Sequence, residues 1–169
     1  LVKTISDFKK IPLISKDNYL RKYPLEKLCW DGNLKKNQWD ISSTSGSTGE
    51  PFYFPRTDVQ NGQYALSAEL YLRENFQIHK KSTLYINCFA LGVWIGGLFT
   101  YEALKMTARS GKYNLSIINP GLNKPEIFKI IKQLSKQFDQ IIIGGYPPFV
   151  KDVIDEGITQ NIVWPDYNL

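Results

Sequence analysis

The sequence predicts an α/β fold, a largely parallel sheet flanked by helices, and three observations predict it. Apolar runs at 83–89, 115–118 and 141–145 have the length and β-branched content of buried strands. Each is followed by apolar residues at helical spacing: Leu98, Tyr101 and Leu104; Ile127, Ile130, Ile131 and Leu134; Phe149, Val150, Val153 and Ile154. Strand and helix alternate at lengths that suit parallel β-α-β crossovers. Ligands of such sheets bind beyond the carboxyl ends of the strands, so residues 89–97 and 144–148 are expected at one rim.

The elements follow in chain order. Residues 1–40 read as an N-terminal leading segment, with Phe8, Ile11, Leu13 and Ile14, helix-start residues at Ser15 to Asn18, and a loop containing a short helix near 25–28. Residues 41–169 read as a partial α/β domain. Within it the aromatic residues at 52–54 make a short strand closed by Pro55, and Asp58 caps a helix reaching about Glu74. Strand 83–89 leads through Gly92, Gly96 and Gly97 into a helix at 98–108. Strand 115–118 ends at Asn119-Pro120-Gly121, and Pro125 opens the next helix. Strand 141–145 is followed by a helix starting at Pro147-Pro148.

Composition bounds the function. At 169 residues, 43% hydrophobic and 14% aromatic, the chain can bury the core of one domain and is not disordered overall. The formal charge is +5, with lysines spread along the chain and adjacent only at Lys9-Lys10, Lys35-Lys36 and Lys80-Lys81. That pattern reads as a solvated surface rather than a nucleic-acid footprint, and it mildly favours an anionic substrate. Cys29 and Cys88 read as two buried thiols, without zinc spacing. No run has the length and apolarity of a membrane span, and no basic-then-apolar leader is seen. A reduced, cytoplasmic setting is the default expectation. The first residue, Leu1, and the final Tyr167-Asn168-Leu169 read as cut ends of a longer chain.

The stretch from Ser42 to Pro51 holds six hydroxyl side chains and two glycines and has no apolar side chain before the proline. Glycine permits positive φ, so hydroxyls and backbone N–H groups can converge on one concavity, a surface suited to phosphate. A flexible Ser/Gly linker is the plain alternative. A Walker-type loop is excluded, because Glu50-Pro51 stands where that pattern has Lys-Ser/Thr. The residues Thr44-Ser45-Gly46-Ser47-Thr48-Gly49-Glu50-Pro51 resemble the phosphate loop of the adenylate-forming superfamily, T-S-G-[ST]-T-G-x-P, at every fixed position. Upstream, Ile11-Pro12-Leu13-Ile14-Ser15-Lys16-Asp17-Asn18-Tyr19-Leu20 is similar to a phrase that precedes this loop in the phenylacetate-CoA ligase-like branch. The aromatic-glycine run Phe89 to Phe99 and the strand ending in Gly144-Gly145-Tyr146-Pro147-Pro148 resemble later segments of the same branch.

The resemblance implies the N-terminal part of a carboxylate-activating ligase that forms an acyl-adenylate from ATP and passes the acyl group to coenzyme A. It implies that Thr44, Ser45, Gly46, Ser47, Thr48 and Gly49 contact phosphate, and that Phe89, Trp94, Gly96 and Tyr146 line the acyl or aryl pocket. Phe52 stands where many relatives have lysine, so phosphate charge is met elsewhere. The family's adenine, ribose and Mg-binding residues and its catalytic lysine fall beyond Leu169, so the chain alone is expected to be inactive in ATP–pyrophosphate exchange. Expected partners are ATP with Mg, coenzyme A and a small carboxylate, and beyond these the rest of its own chain and a second copy in a homodimer. No nucleic acid is expected. Two other readings stay open: a nucleotide- or anion-binding module without chemistry, and a synthetase that passes the acyl group to a protein or an amine. The single histidine, His79, reads as a solvated turn residue, and Asp152, Asp155 and Glu156 read as a wet helix face rather than a metal site.

Overall fold

Every residue of strand Thr83–Cys88 is buried, as expected for the middle of a sheet covered on both faces. In the computed structural model, which describes residues 2–29, 32–44 and 50–169, this is β3. It pairs in parallel with β4 (Leu115–Ile118) on one side and with β5 (Gln140–Gly145) on the other, in the order β4-β3-β5. The registers run from Thr83 opposite both Leu115 and Gln140. A one-residue slip would exchange the two faces. A separate antiparallel pair is formed by β1 (Asp40–Ser43) and β2 (Tyr53–Arg56).

The alternation of β3 side chains divides the core in two. Leu84, Ile86 and Cys88 pack with Ile127 and Ile131 of α5 (Lys124–Leu134) and Val153 of α6 (Pro147–Thr159). Tyr85 packs the other way, with Leu72 of α3 (Asp58–Phe76) and Leu104 of α4 (Ile95–Arg109), and with Leu115 and Ile142. The sheet is therefore α/β in class, parallel and flanked by helices. Each fully buried Ile or Leu contributes on the order of 1.5–3 kcal/mol. Gly144 is demanded by this packing, because a Cβ there would sit 1.7 Å from the Tyr85 hydroxyl oxygen.

Several boundaries differ from the sequence expectation. Helix α3 is capped by Thr57 and not Asp58: the Thr57 hydroxyl accepts from the backbone of Gln60, whose side chain accepts from the Thr57 N–H at 2.8 Å. Helix α4 begins at Ile95, so Gly96 and Gly97 lie within its first turn. The start of α5 agrees with expectation: Asn123 caps it by accepting from the Glu126 N–H at 3.2 Å, and Pro125 stands in its first turn. Strand β1 falls at the end of the stretch read as loop, since two serines and an aspartate carry little β signal.

The chain divides into two compact units, Leu1–Gln38 and Trp39–Leu169. The first holds α1 (Ile5–Phe8), a 3-10 turn at Leu20–Lys22 and α2 (Leu25–Leu28), none with a buried residue. Helix α1 is an unforeseen element, fixed by a reciprocal cap between Thr4 and Asp7. At Ser15 the helix-start residues make a local turn instead, the Ser15 N–H donating to Asn18 Oδ1 at 2.7 Å and the Asn18 N–H to Ser15 Oγ at 3.1 Å. Cys29 is only half-buried, a correction to the expectation of two buried thiols.

Candidate functional site

The hydroxyl-rich stretch begins in β1, which pairs with β2. Ser42 pairs with Phe54 and Ser43 with Tyr53, and the ladder closes where the Thr44 N–H donates to the Phe52 carbonyl at 3.1 Å. The Phe52 N–H donates in turn to Thr44 Oγ1 at 3.2 Å. Of the six residues expected to contact phosphate, Thr44 is described, and its hydroxyl accepts from the Phe52 N–H. Ser45, Gly46, Ser47, Thr48 and Gly49 lie outside the described residues. Two hydroxyls of the run, read as able to converge on one concavity, are instead held by neighbours within the hairpin. Ser42 and Ser43 are buried in β1, Ser42 Oγ accepting from Arg56 and Ser43 Oγ donating to the Thr44 carbonyl at 3.0 Å.

Arg56, also buried, ties the hairpin base to the helical layer. It donates from Nη1 to Ser42 at 2.9 Å and from Nε to Asn61 Oδ1 at 3.4 Å, and its guanidinium lies 4.5 Å from the centre of the Phe99 ring. Asn61 Nδ2 donates to Asp40 Oδ2 at 2.5 Å, closing a circuit through β1, β2 and α3. Burial pulls the Arg56 pKa below its ordinary value, and the negative charge of Asp40 opposes that pull. This arginine was missed in the sequence. The signal available was its place two residues after the aromatic triplet, on the inward side of a short strand.

The other edge of the hairpin meets the start of α4. The Ser43 N–H donates to the Val93 carbonyl at 2.7 Å, and Ser43 and Trp94 form a parallel bridge. Trp94 is the residue before the helix and has no side-chain capping bond. Gly97 lets the helix start pass close to the preceding loop, since a Cβ would lie 2.1 Å from the Ala90 carbonyl oxygen. Gly96 is different: its nearest neighbour would be Phe89 Cδ1 at 3.5 Å, an ordinary contact.

A cavity of about 780 Å³ opens between these elements at the carboxyl end of β3. Ser43 and Thr44 line it together with Phe89, Trp94, Gly96 and Tyr146, so the four residues expected to line a pocket share one wall system with the hairpin. Connections diverge at this end of the sheet: β3 runs into α4 on one face, whereas β5 runs into α6 on the other. Such a switch point leaves a crevice that suits a ligand. Buried Asn87 fixes the crevice floor, donating to Asn119 Oδ1 at 2.9 Å, while its carbonyl accepts from the Gly121 N–H at 3.2 Å. Cys88, Leu122 and Phe149 also line the cavity and were not read as lining residues in the sequence. A second, more enclosed-by-aromatics cavity of about 790 Å³ lies against α3 and α4, with Tyr64, Tyr71 and Tyr85 in its lining; Phe89 belongs to both.

Burial pushes the Cys88 thiol up to about 12 and the Tyr85 phenol likewise to about 12. Cys88 therefore stands in the cavity wall as a neutral thiol near neutral pH. Because both folded values are raised, stability is held below the unfolded pKa values and lost as pH rises through roughly 9 to 12, at about 1.4 kcal/mol per pH unit for each group. Urea titrations between neutral and alkaline pH are expected to show that fall, and Cys88→Ala to show a shallower one starting later. A slope unchanged by the substitution would contradict the assignment.

His79 is exposed, and Asp152, Asp155 and Glu156 are engaged with lysines: Lys124 with Asp152 and, at 2.8 Å, with Glu156, and Lys151 with Asp155. Among the described residues no group of three His, Cys, Asp or Glu could hold a metal ion, and no helix is long and apolar enough to cross a membrane. No protein-family model matches the chain, and no curated protein matches it.

Proposed function

We propose that the chain carries the triphosphate and carboxylate positions of an ATP-dependent carboxylate-activating ligase of the adenylate-forming superfamily. The supporting observation is that Thr44, at the mouth of the T-S-G-S-T-G-E-P loop, lines one cavity with Phe89, Trp94, Gly96 and Tyr146. In this reading the β- and γ-phosphates lie against the N–H and hydroxyl groups of residues 44–49, and the carboxylate lies in the cavity.

A carboxylate oxygen attacks the α-phosphorus, the bond to the bridging oxygen breaks, and pyrophosphate leaves with the electron pair. A thiol, taken here as that of coenzyme A, then displaces AMP from the acyl carbon. The chain's own share is positioning and charge stabilisation. Arg56 braces the hairpin base, and the bridge from Ser43 to Trp94 ties β1 to the start of α4 beside the cavity. Mg²⁺ bound with ATP would offset phosphate charge, and no carboxylate of this chain is assigned to hold it. Phe89, shared by the two cavities, sets how far an apolar group reaches, which suits an aryl or acyl acid such as phenylacetate. The setting is taken as cytoplasmic.

The test is calorimetric titration of the chain with Mg-ATP. The wild type is expected to bind saturably, and Thr48→Ala to bind roughly ten-fold more weakly, the loss of one or two charge-assisted hydrogen bonds. Absence of heat in both would contradict the reading. Binding without any response to a carboxylate would favour the anion-binding module.

A further inference from the structure

We propose that the described residues of the N-terminal unit, 2–29 and 32–38, are a docking surface for an anionic phospholipid bilayer. The lysines are spread along the chain, but the charge is not. Residues 1–38 contain nine Lys and Arg against four Asp and Glu, whereas residues 39–169 contain twelve of each. The formal charge of +5 therefore belongs entirely to the first unit.

The same unit exposes large apolar side chains. Ile5 is 85% exposed, Phe8 69%, Leu13 91% and Ile14 67%. Ile5 and Phe8 stand one helical turn apart in α1, so they project from the same side, and the Thr4–Asp7 cap holds that turn in place. Two of the four acids are already occupied: Asp7 by Thr4 and Lys10, and Asp17 by Arg21. Lys3, Lys9, Lys22, Lys27, Lys35 and Lys36 form no ion pair among the described residues.

The combination decides the partner. Nucleic acid would use the charge and the exposed rings of Phe8, Tyr19 and Tyr23, but it gains little from Ile5, Leu13 and Ile14, which are the more exposed side chains apart from Phe8. A bilayer with acidic headgroups uses both: aliphatic side chains enter the interfacial zone while lysines reach the phosphates. The inference concerns the first unit alone and does not depend on the ligase reading.

Sedimentation with vesicles tests it on the whole chain. Binding to phosphatidylcholine vesicles containing roughly 30% phosphatidylserine is expected to exceed binding to phosphatidylcholine alone by about ten-fold, and to fall as salt is raised. The pair Ile5→Ser and Phe8→Ser, both at exposed positions, is expected to reduce that binding about ten-fold with an unchanged circular dichroism spectrum and melting curve. Lys9→Glu with Lys10→Glu is expected to reduce it similarly and to flatten the salt dependence. Three results would each overturn the proposal: no vesicle binding, equal binding to neutral vesicles, or binding untouched by the serine pair and abolished by competing RNA. The last would assign the surface to nucleic acid.

Discussion

Arg56→Ala is expected to lower the unfolding free energy by about 3 kcal/mol, among the larger losses a single residue of this chain can cause. The arginine is 7% exposed and donates to Ser42 and Asn61 while stacking on Phe99. Its removal strands a buried serine hydroxyl and an asparagine oxygen and leaves space beside the Phe99 ring. It also removes the positive charge opposite Asp40, its register partner in the hairpin. Lysine would return the charge but not the fork that reaches two acceptors, so Arg56→Lys should recover less than half of the loss. Urea denaturation monitored by circular dichroism measures both. A loss below about 1 kcal/mol would mean that the hairpin base is held by its backbone ladder instead.

The second large effect is a contrast between adjacent glycines. Gly97→Ala is expected to cost about 2–3 kcal/mol, because the new Cβ meets the Ala90 backbone carbonyl at 2.1 Å and neither group can turn aside. Gly96→Ala meets only Phe89 Cδ1 at 3.5 Å and gains about 0.5–1 kcal/mol of helix preference, so it should be neutral or slightly stabilising. Its Cβ nevertheless faces the cavity, and ligand binding there should weaken while stability does not. Thermal melts of the two variants separate these outcomes. Equal stability of the pair would contradict the close approach of the helix start to the loop.

The parallel sheet was legible because strands buried on both faces leave an unbroken apolar signature, as at Leu84-Tyr85-Ile86 and Ile141-Ile142-Ile143. Helices α5 and α6 were legible from their prolines and their apolar spacing. Strand β1 was not, because its residues hold the strand through partners distant in sequence: Ser42 through Arg56, and Asp40 through Asn61. The same reason hid Arg56. The rim at residues 89–97 was legible as a place, but the start of α4 was not, since glycine disfavours helix locally and the demand for it at 97 comes from Ala90. Cys88 as a cavity wall follows from strand alternation alone and could have been read.

We propose one site for ATP and a carboxylate, made by residues 44–49 and the cavity lined by Trp94. Trp94 fluorescence tests it most directly, read as the difference between the wild-type chain and Trp94→Phe during titration with phenylacetate, with and without Mg-ATP. A saturable change that depends on Trp94 is expected, with an apparent affinity for phenylacetate that strengthens several-fold when Mg-ATP is present. A Trp94 signal that responds to neither compound, or one in which each acts without regard to the other, would contradict it.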